Sequence, residues 1–297
     1  MFALATSILL VPVACIPPNS PATPFEPPHF DHLQEEENPG HASVEVRMDV
    51  GWVGPGQTFH VIVVLQPDAG WHTYWKNPGS SGTPTEIEVQ APDGFVVGEP
   101  IFPRPSTFRE SEGPTFGYNK QAAFFVPVTA PEVLEDGHVE FKVNTFWLAC
   151  KKNCVMGTDS HKLLVSTNNL QPGPPSKDKN LIDWKTALPQ AIENLEQGGV
   201  YISGNTMFIS GESTLRPLRF IGIESKGVQY GSSSRPIVEN NKFRLPIAID
   251  LDFYQGSDGK LTIEGILLLG RKNNDPSYYI HFELEESYLQ PQGRGVN

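Results

Sequence analysis

Cysteine and positive charge are both scarce in this chain of 297 residues, which has 3 Cys and 22 Lys and Arg against 34 Asp and Glu. The net charge of -12, without any Lys/Arg cluster, repels phosphates, so we expect no binding to nucleic acid. No apolar run beyond the N-terminus reaches the roughly 18 residues of a membrane-spanning helix. Gly-x-Ser-x-Gly motifs and glycine-rich phosphate loops are also missing, so hydrolase and nucleotide-binding functions lack support.

The N-terminus holds a short apolar segment, residues 2–14, that a proline-rich tract follows. This pattern predicts an export signal over residues 1–15, although no Lys or Arg precedes the apolar run. Cys15 comes directly after Val13-Ala14 and is a candidate lipidation site, but Pro12 stands where lipoprotein signals usually have Leu. Alternatively, Cys15 is removed with the signal. We therefore expect a periplasmic or otherwise extracytoplasmic protein that is either soluble or attached to a membrane only through an N-terminal lipid.

Proline and glycine are abundant, with 28 and 27 copies, and they favour many short strands and turns over long helices. Together with the chain length, which is typical of two domains, this composition predicts an all-β protein. Residues 16–40 are rich in proline and contain the acidic run Glu35-Glu36-Glu37, so they have too little apolar surface to offset the entropy of ordering them. We predict that they form a disordered tether.

Alternating apolar and polar residues predict a first β-sandwich over residues 41–167, with its clearest strands at residues 58–65, 121–128 and 138–149. A linker with several prolines follows over residues 168–198. Its apolar residues recur at helical spacing from Leu181 to Leu195, which predicts one short helix with a break at Pro189. A second, smaller β-sandwich without cysteine is predicted over residues 199–290, with strands at residues 201–210, 216–223, 242–249, 261–269 and 278–285.

The most informative residues are Cys150 and Cys154, the two cysteines outside the N-terminal segment. If the strand that begins at His138 continues to Cys150 and residues 151–153 turn the chain, the two cysteines face each other across a hairpin. Directly opposed residues have Cα atoms about 4.5 to 5.5 Å apart, which lies within the range that a disulfide needs. Such a pair favours thiol-disulfide exchange.

The residues between the two cysteines bear on their reactivity. Asn153 suits the left-handed conformation that such a short turn demands. Lys151 and Lys152 favour the thiolate over the thiol, and the thiolate is the form that attacks a disulfide. A short and partly exposed loop also makes the bond easy to reduce. We therefore predict that the pair cycles between dithiol and disulfide.

A fixed structural disulfide is the main alternative, because exported proteins commonly use cysteine pairs in this way. A bond that closes so small a loop removes little entropy from the unfolded chain, so stability alone is a weak reason for it. In that case the protein is a non-catalytic binding or scaffold module. A copper or zinc module, with Met156 and His161 as further ligands, is less favoured than redox exchange. We expect no metal and no other cofactor.

Three stretches resemble the exported N-terminal domain of the DsbD/ScsB family of thiol:disulfide interchange proteins. They are residues 70–85, with the sequence GWHTYWKNPGSSGTPT, the dipeptide Gly117-Tyr118, and residues 147–157, with the sequence WLACKKNCVMG. The resemblance is clearest from about residue 44 to residue 165, and the second domain is similar to the extra sandwich of the ScsB-like branch. It implies two immunoglobulin-like β-sandwich domains joined by the short helix-containing linker.

The resemblance also implies a function and the roles of individual residues. In the family, such a domain receives electrons from a membrane-embedded partner and passes them to oxidised exported proteins, in a pathway that also serves cytochrome c biogenesis. The cysteine nearer the C-terminus attacks the client disulfide, which makes Cys154 the catalytic nucleophile and Cys150 its resolving partner. A loop with an aromatic residue shields the pair, and Phe116 and Tyr118 are the matching capping residues.

The sequence departs from the family in two respects. Better-known members separate their cysteines by more than three residues. Full-length members also continue into a multi-span membrane domain and a thioredoxin-like domain, neither of which this sequence contains. Its electrons are therefore expected to come from a separately encoded thiol reductant in the membrane, and the protein is expected to act as a component of a protein-disulfide reductase system.

Overall fold

A computed structural model of the protein describes residues 40–252 and 260–285. The predicted export signal, the candidate lipidation site Cys15 and the predicted tether before Gly40 lie outside these residues. Strands dominate the described residues, which contain one short α-helix, so the all-β prediction is confirmed. No helix of this part of the chain is long and apolar enough to cross a membrane.

The first sandwich is built from the strands between residues 42 and 167. They are β1 (Ala42–Met48), β2 (Thr58–Pro67), β3 (Thr73–Gly79), β4 (Glu86–Gln90), β5 (Val96–Val97), β6 (Ser106–Glu110), β7 (Gly113–Tyr118), β8 (Ala122–Thr129), β9 (Gly137–Cys150) and β10 (Cys154–Thr167). Two sheets, of order β1-β2-β8-β5 and β10-β9-β4, enclose the core. A third sheet of order β3-β7-β6, which we call the small sheet, meets the end of β9.

Alternation along β9 explains the core of this sandwich. Phe141, Val143 and Trp147 point to one face, as the period of two in a strand requires, and all three are fully buried. They pack in one cluster with Val61 and Val63 of β2. Each such side chain contributes about 1.5 to 3 kcal/mol when it is taken out of water. This burial fixes the position of β9, and thus of the cysteine at its end.

β2 is buried on its other face as well, because the single helix covers it. Ile62 and Val64 point away from the sandwich core and pack on Leu181 and Trp184 of α1 (Asn180–Thr186). The run of consecutive apolar residues in β2 therefore reflects two buried faces. The helix ends before Pro189, which cannot continue it, so the helical spacing that extends to Leu195 is not used.

Charged residues also hold the helix to the first sandwich. The Arg47 guanidinium donates to the carboxylate of Asp178, just before the helix. Asp49 accepts hydrogen bonds from the His60 ring at 2.8 Å and from the Lys185 ammonium at 3.2 Å. Burial alone would raise the pKa of Asp49, but these hydrogen bonds and the His60 charge hold its pKa below the usual value. The linker is thus anchored by packing and by ionic contacts.

The second sandwich begins directly after the helix. Its strands are β11 (Gln190–Ala191), β12 (Gly199–Ser203), β13 (Thr206–Glu212), β14 (Leu218–Gly222), β15 (Val228–Ser233), β16 (Ile237–Glu239), β17 (Lys242–Leu251), β18 (Lys260–Leu269) and β19 (Ser277–Glu285), with a 3-10 turn at Ile192–Asn194. The sheets have the orders β11-β19-β18-β14 and β12-β13-β17-β15, and β16 pairs with β17. The predicted strand over residues 201–210 is two strands, because Gly204 turns the chain with a φ of 56°.

The two sandwiches share buried apolar residues. Ile221 of β14 and Ile266 and Leu268 of β18 pack in the core cluster of the first sandwich. Along β18, Ile263 and Leu267 point the other way, into the core of the second sandwich. β18 is therefore buried on both faces, and all described residues belong to one compact unit. The fold is two immunoglobulin-like β-sandwiches in close contact.

Candidate functional site

Cys150 and Cys154 form a disulfide that closes the hairpin of β9 and β10. They are the last residue of β9 and the first of β10, and they lie directly opposite each other with their Cα atoms 4.1 Å apart. Within the turn, the Lys151 N–H donates to the Asn153 carbonyl at 3.1 Å. Asn153 does not adopt the left-handed conformation that was expected of it. The disulfide and this main-chain hydrogen bond close the turn without it.

The two cysteines differ in their exposure to solvent. Cys150 is buried, with 4% of its surface exposed, because it belongs to the β9 strand that enters the core. Cys154 is exposed at the start of β10. Thiol-disulfide exchange requires direct access of the attacking sulfur to the sulfur that it attacks. An external thiolate therefore has a path to Cys154 that it does not have to Cys150.

His72 holds the backbone of Cys150 in place. The Cys150 N–H donates to the His72 carbonyl at 2.9 Å, and the His72 N–H donates to the Cys150 carbonyl at 3.0 Å. The two residues thus form a one-residue antiparallel bridge just before β3 begins at Thr73. Through this bridge, the small sheet is joined to the buried cysteine.

The His72 side chain lies among three residues of the small sheet. Its ring stacks on Phe108 at 4.6 Å between centroids, meets Tyr74 edge-on at 5.1 Å, and has Nε2 3.1 Å from a carboxylate oxygen of Glu110. That last contact is an ion-pair distance without hydrogen-bond geometry. Burial lowers the pKa of His72, and the Glu110 charge offsets this only in part. His72 is therefore neutral at pH 7, and its ring acts through packing.

Burial and the same carboxylate also act on Tyr74. Burial, with a contribution from the negative Glu110, raises the pKa of Tyr74 to about 12. The phenol is thus neutral at physiological pH. Gly82 lies against this ring, since a Cβ at that position would come 2.3 Å from a ring carbon. This close approach explains why residues 70–85 need glycine there.

A lysine and a glycine meet beside the disulfide. Gly70 turns the chain with a φ of 82°, and a Cβ placed on it would lie 3.1 Å from the Lys151 ammonium. The Lys151 side chain therefore lies over the Gly70 turn. Lys152 is exposed on the same hairpin turn. Both positive charges are thus within two residues of Cys150 or Cys154 along the chain, and they favour a thiolate there.

The first described residues pack against the same hairpin. The Trp147 indole donates to the Gly40 carbonyl at 3.1 Å, and the His41 ring stacks on Trp71 at 3.7 Å. Gly157 lies flat against Trp147, since a Cβ there would come 2.3 Å from the indole. The tryptophan and the glycine at the two ends of residues 147–157 are therefore packing partners across the hairpin.

Phe116 and Tyr118 belong to strand β7, so the loop that the resemblance implies for them is wrong. Tyr118 is buried in the core, where its hydroxyl donates to the Pro103 carbonyl at 2.8 Å and its ring packs edge-on against Phe124. Phe116 lies in a cleft of about 420 Å³ between the two sandwiches. β7 pairs with β3 inside the small sheet, and this pairing holds the two rings in these positions. A capping role of these two rings stays a prediction.

The two metal-ligand candidates lie apart from each other. His161 is seven residues beyond Cys154 on β10, which corresponds to about 24 Å of extended strand. Its ring is 2.8 Å from a carboxylate oxygen of Asp159. Met156 is 64% exposed. Within the described residues, no group of three or more His, Cys, Asp or Glu side chains is placed to hold a metal ion. The geometry thus gives no support to the copper or zinc alternative.

Sequence reasoning missed Phe108 and Glu110 as neighbours of the site. Both lie on β6, about 40 residues before Cys150 along the chain, and reach it only through His72. His72 itself lies within residues 70–85, but nothing in the sequence indicates its bridge to Cys150. Thr107 and Phe108, both of types that are common in strands, are the one local signal for β6.

Residues 41–166 match the model of a protein family described as thiol:disulfide interchange protein DsbD, N-terminal. Among solved structures, the N-terminal periplasmic domain of ScsB from Proteus mirabilis matches with a TM-score of 0.51 at 16% identity, over 85% of this chain and 96% of that one. The reduced N-terminal domain of DsbD from Neisseria meningitidis matches at 18% identity and a TM-score of 0.27, over 43% of this chain and 88% of that one. No curated protein matches the chain.

Proposed function

Because residues 41–166 form a domain of the DsbD N-terminal type, we propose that this protein is an extracytoplasmic thiol:disulfide interchange protein. It passes electrons from a membrane-embedded thiol reductant to oxidised exported proteins. The observation that carries the proposal is the disulfide between an exposed Cys154 and a buried Cys150 at the edge of this domain. A carrier needs one accessible sulfur and one protected sulfur, since the second must react only within the molecule.

The reaction begins with the reduced pair. The Cys154 thiolate attacks one sulfur of a client disulfide and forms a mixed disulfide, while the other client sulfur leaves as a thiolate. The Cys150 thiolate then attacks Cys154 Sγ, forms the intramolecular disulfide and releases the first client sulfur. Two electrons pass to the client, whose two thiolates take up the protons that the dithiol has lost.

The reverse half-reaction restores the dithiol. A thiolate of the reductant attacks the exposed Cys154 Sγ, and Cys150 leaves as a thiolate. The second thiolate of the reductant then attacks the reductant sulfur that is bonded to Cys154, and Cys154 leaves as a thiolate. The reductant ends as a disulfide, so one dithiol has been exchanged for another. Lys151 and Lys152 stabilise the thiolates that leave in these steps.

The location follows from the same proposal. The ScsB domain of the solved structure is a periplasmic domain, and we extend this location to the present protein. A lipid at Cys15 would keep the tethered chain at the membrane surface, where its reductant resides. That role of Cys15 rests on the sequence pattern alone.

The reduction potential of the pair tests the proposal. We expect the disulfide to equilibrate with a glutathione buffer at roughly -120 to -270 mV, the range of exported oxidoreductases. Quantifying reduced and oxidised protein by thiol labelling across the buffer series gives this value. A potential below about -300 mV is typical of a structural bridge, and it would leave the scaffold alternative in place of the carrier.

A further inference from the structure

The small sheet has a second neighbour besides Cys150, namely the second sandwich. At β3, the Lys76 ammonium donates to the Glu264 carboxylate of β18 at 2.7 Å. The next residue, Asn77, donates through its side-chain amide to the Gly222 carbonyl at the end of β14 at 2.5 Å. β3 is the strand that follows His72, so these contacts hold the strand whose start is bridged to Cys150.

β6 is held from the same side. The Arg219 guanidinium of β14 donates to the Thr107 hydroxyl, and the Ser106 hydroxyl lies 3.2 Å from the Asn273 side-chain oxygen. Just before β6, the Arg104 guanidinium donates to the Pro276 carbonyl at 2.8 Å and to the Gly270 carbonyl at 3.2 Å. Thr107 precedes Phe108, the residue whose ring stacks on His72.

Arg219 and Arg104 carry positive charges that are about half buried at these contacts. Burial lowers the pKa of Arg219, and the nearby positive Arg109 lowers it further. Burial likewise lowers the pKa of Arg104, the negative Asp275 offsets this in part, and the like charge of Arg219 lowers it further. Half-burying guanidiniums next to each other costs free energy, which their hydrogen bonds to Thr107 and to main-chain carbonyls offset.

The Glu264 carboxylate is also fixed from within the second sandwich. It accepts a hydrogen bond from the Tyr279 hydroxyl, while the Tyr230 hydroxyl bonds the main chain of Glu264 on both sides, at 3.0 Å to its carbonyl and 2.9 Å from its N–H. The partner of Lys76 is therefore rigidly placed. The second sandwich presents prearranged groups to β3 and β6, and its Ile221 and Ile266 are buried in the core cluster of the first sandwich.

We propose that the second sandwich positions the small sheet against the disulfide and thereby controls access to the cysteine pair. Arg219 and Lys76 are the positioning residues. Arg219 contacts Thr107 of β6, the strand that carries Phe108, and Lys76 joins β3, the strand that follows His72, to Glu264 of the second sandwich. His72 in turn holds Cys150. This inference deepens the proposed function, since it gives the second sandwich a part in the reactivity of the same site.

The alkylation rate of the reduced pair tests the inference on the full chain. In a Cys15→Ala background, the reduced protein is mixed with iodoacetamide under pseudo-first-order conditions, and the modified fraction is followed by mass spectrometry. Arg219→Met removes the donor to Thr107 but keeps the apolar stem, and Thr107→Val removes the acceptor with almost the same shape. We expect each variant to raise the alkylation rate by about two- to tenfold, the effect of one lost hydrogen bond on the opening of the sheet.

The double variant separates a positioning role from general destabilisation. If Arg219 and Thr107 act through their mutual contact, the double variant alkylates no faster than either single variant. Arg244→Met is the matched control, because Arg244 donates to Tyr201 within the second sandwich at 3.2 Å and does not face the small sheet. It should leave the alkylation rate unchanged, and thermal midpoints measured for all variants identify any global loss of stability.

Alkylation at the unchanged rate in both single variants would overturn the inference, as would effects of Arg219→Met and Thr107→Val that simply multiply. Its failure is distinct from failure of the proposed function. The function fails if the reduction potential is that of a structural bridge, whereas the alkylation assay uses chemically reduced protein and does not depend on that potential.

Discussion

At the scale of single residues, the two cysteines are distinguished by burial. Cys150 ends a strand whose inner face fills the core and is bridged by His72, while Cys154 begins the outgoing strand in contact with solvent. Exposure favours attack by Cys154, whereas Lys151 and Lys152 lie close to both cysteines and favour a thiolate at either. The resemblance to the family independently implies that Cys154 attacks the client and Cys150 resolves the mixed disulfide.

Trapping of mixed disulfides tests this assignment. Reduced Cys150→Ala, with Cys15 also replaced by alanine, should form a long-lived mixed disulfide with an oxidised client, because the sulfur that would resolve it is absent. In the same Cys15→Ala background, reduced Cys154→Ala should trap little client. Its one remaining thiol is that of Cys150, a residue with only 4% of its surface exposed. Non-reducing gels and mass spectrometry measure the trapped fraction.

The double variant without either cysteine serves as the control and should trap no client. Trapping by Cys154→Ala alone would reverse the assignment. Equal trapping by both single variants would show that burial of Cys150 in the oxidised form does not carry over to the reduced form.

The sequence predicted Cys150 and Cys154 as the site because spacing along a chain is a local property. A three-residue gap after an alternating strand leaves few arrangements other than a hairpin. His72, Phe108 and Glu110 could not be found in this way. They reach the site through pairing between strands that are distant in the sequence, and no local pattern encodes that register.

At the scale of elements, the hairpin of β6 and β7 is the part of the small sheet that most concerns the disulfide. Within it, Gly113 and Pro114 begin β7, and both residue types weaken a strand pattern in the sequence. The structure pairs both strands, and Phe108 is the ring of this hairpin that stacks on His72. Phe116, on the neighbouring strand, lies in the cleft toward the second sandwich.

A comparison of two alanine variants tests which ring shields the pair. Phe108→Ala removes the ring stacked on His72, so we expect the reduced pair to be alkylated several-fold faster. Phe116→Ala removes a half-buried ring of similar size from the same hairpin and should change the rate less, although both variants lose some stability. Iodoacetamide kinetics measured beside thermal unfolding separate the two effects.

A larger increase in Phe116→Ala than in Phe108→Ala would favour the capping role that the sequence resemblance implies for Phe116. Tyr118 is unsuited to this comparison, because its buried hydroxyl bonds the Pro103 carbonyl and its loss would disturb the core.

At the scale of the whole molecule, the interface between the sandwiches is part of the hydrophobic core. Ile266 is fully buried, yet it lies on the face of β18 that meets the first sandwich. The sequence predicted two sandwiches and the strands that build them, since alternation and turn residues are local signals. It could not predict their contact, because a strand buried on both faces by a neighbouring domain has the same pattern as one buried within its own.

Equilibrium unfolding tests whether this contact couples the two sandwiches. All five Trp residues lie outside the second sandwich, at positions 52, 71, 75, 147 and 184, so their fluorescence reports on the first sandwich and the helix. Far-UV circular dichroism reports on strands of both. We expect the two signals of the wild-type protein to change together in one urea transition, because neither sandwich can open without exposing the shared apolar residues.

Two variants on one strand make the test specific. Ile263 and Ile266 are both fully buried in β18 but face opposite sandwiches, and replacing either with alanine should cost about 2 to 5 kcal/mol. Ile263→Ala weakens only the second core, so with the interface intact the two signals should still change together at a lower urea concentration. Ile266→Ala weakens the interface itself, so the fluorescence and dichroism transitions should move apart. Separate transitions in the wild-type protein, or coincident ones in Ile266→Ala, would contradict coupling through this interface.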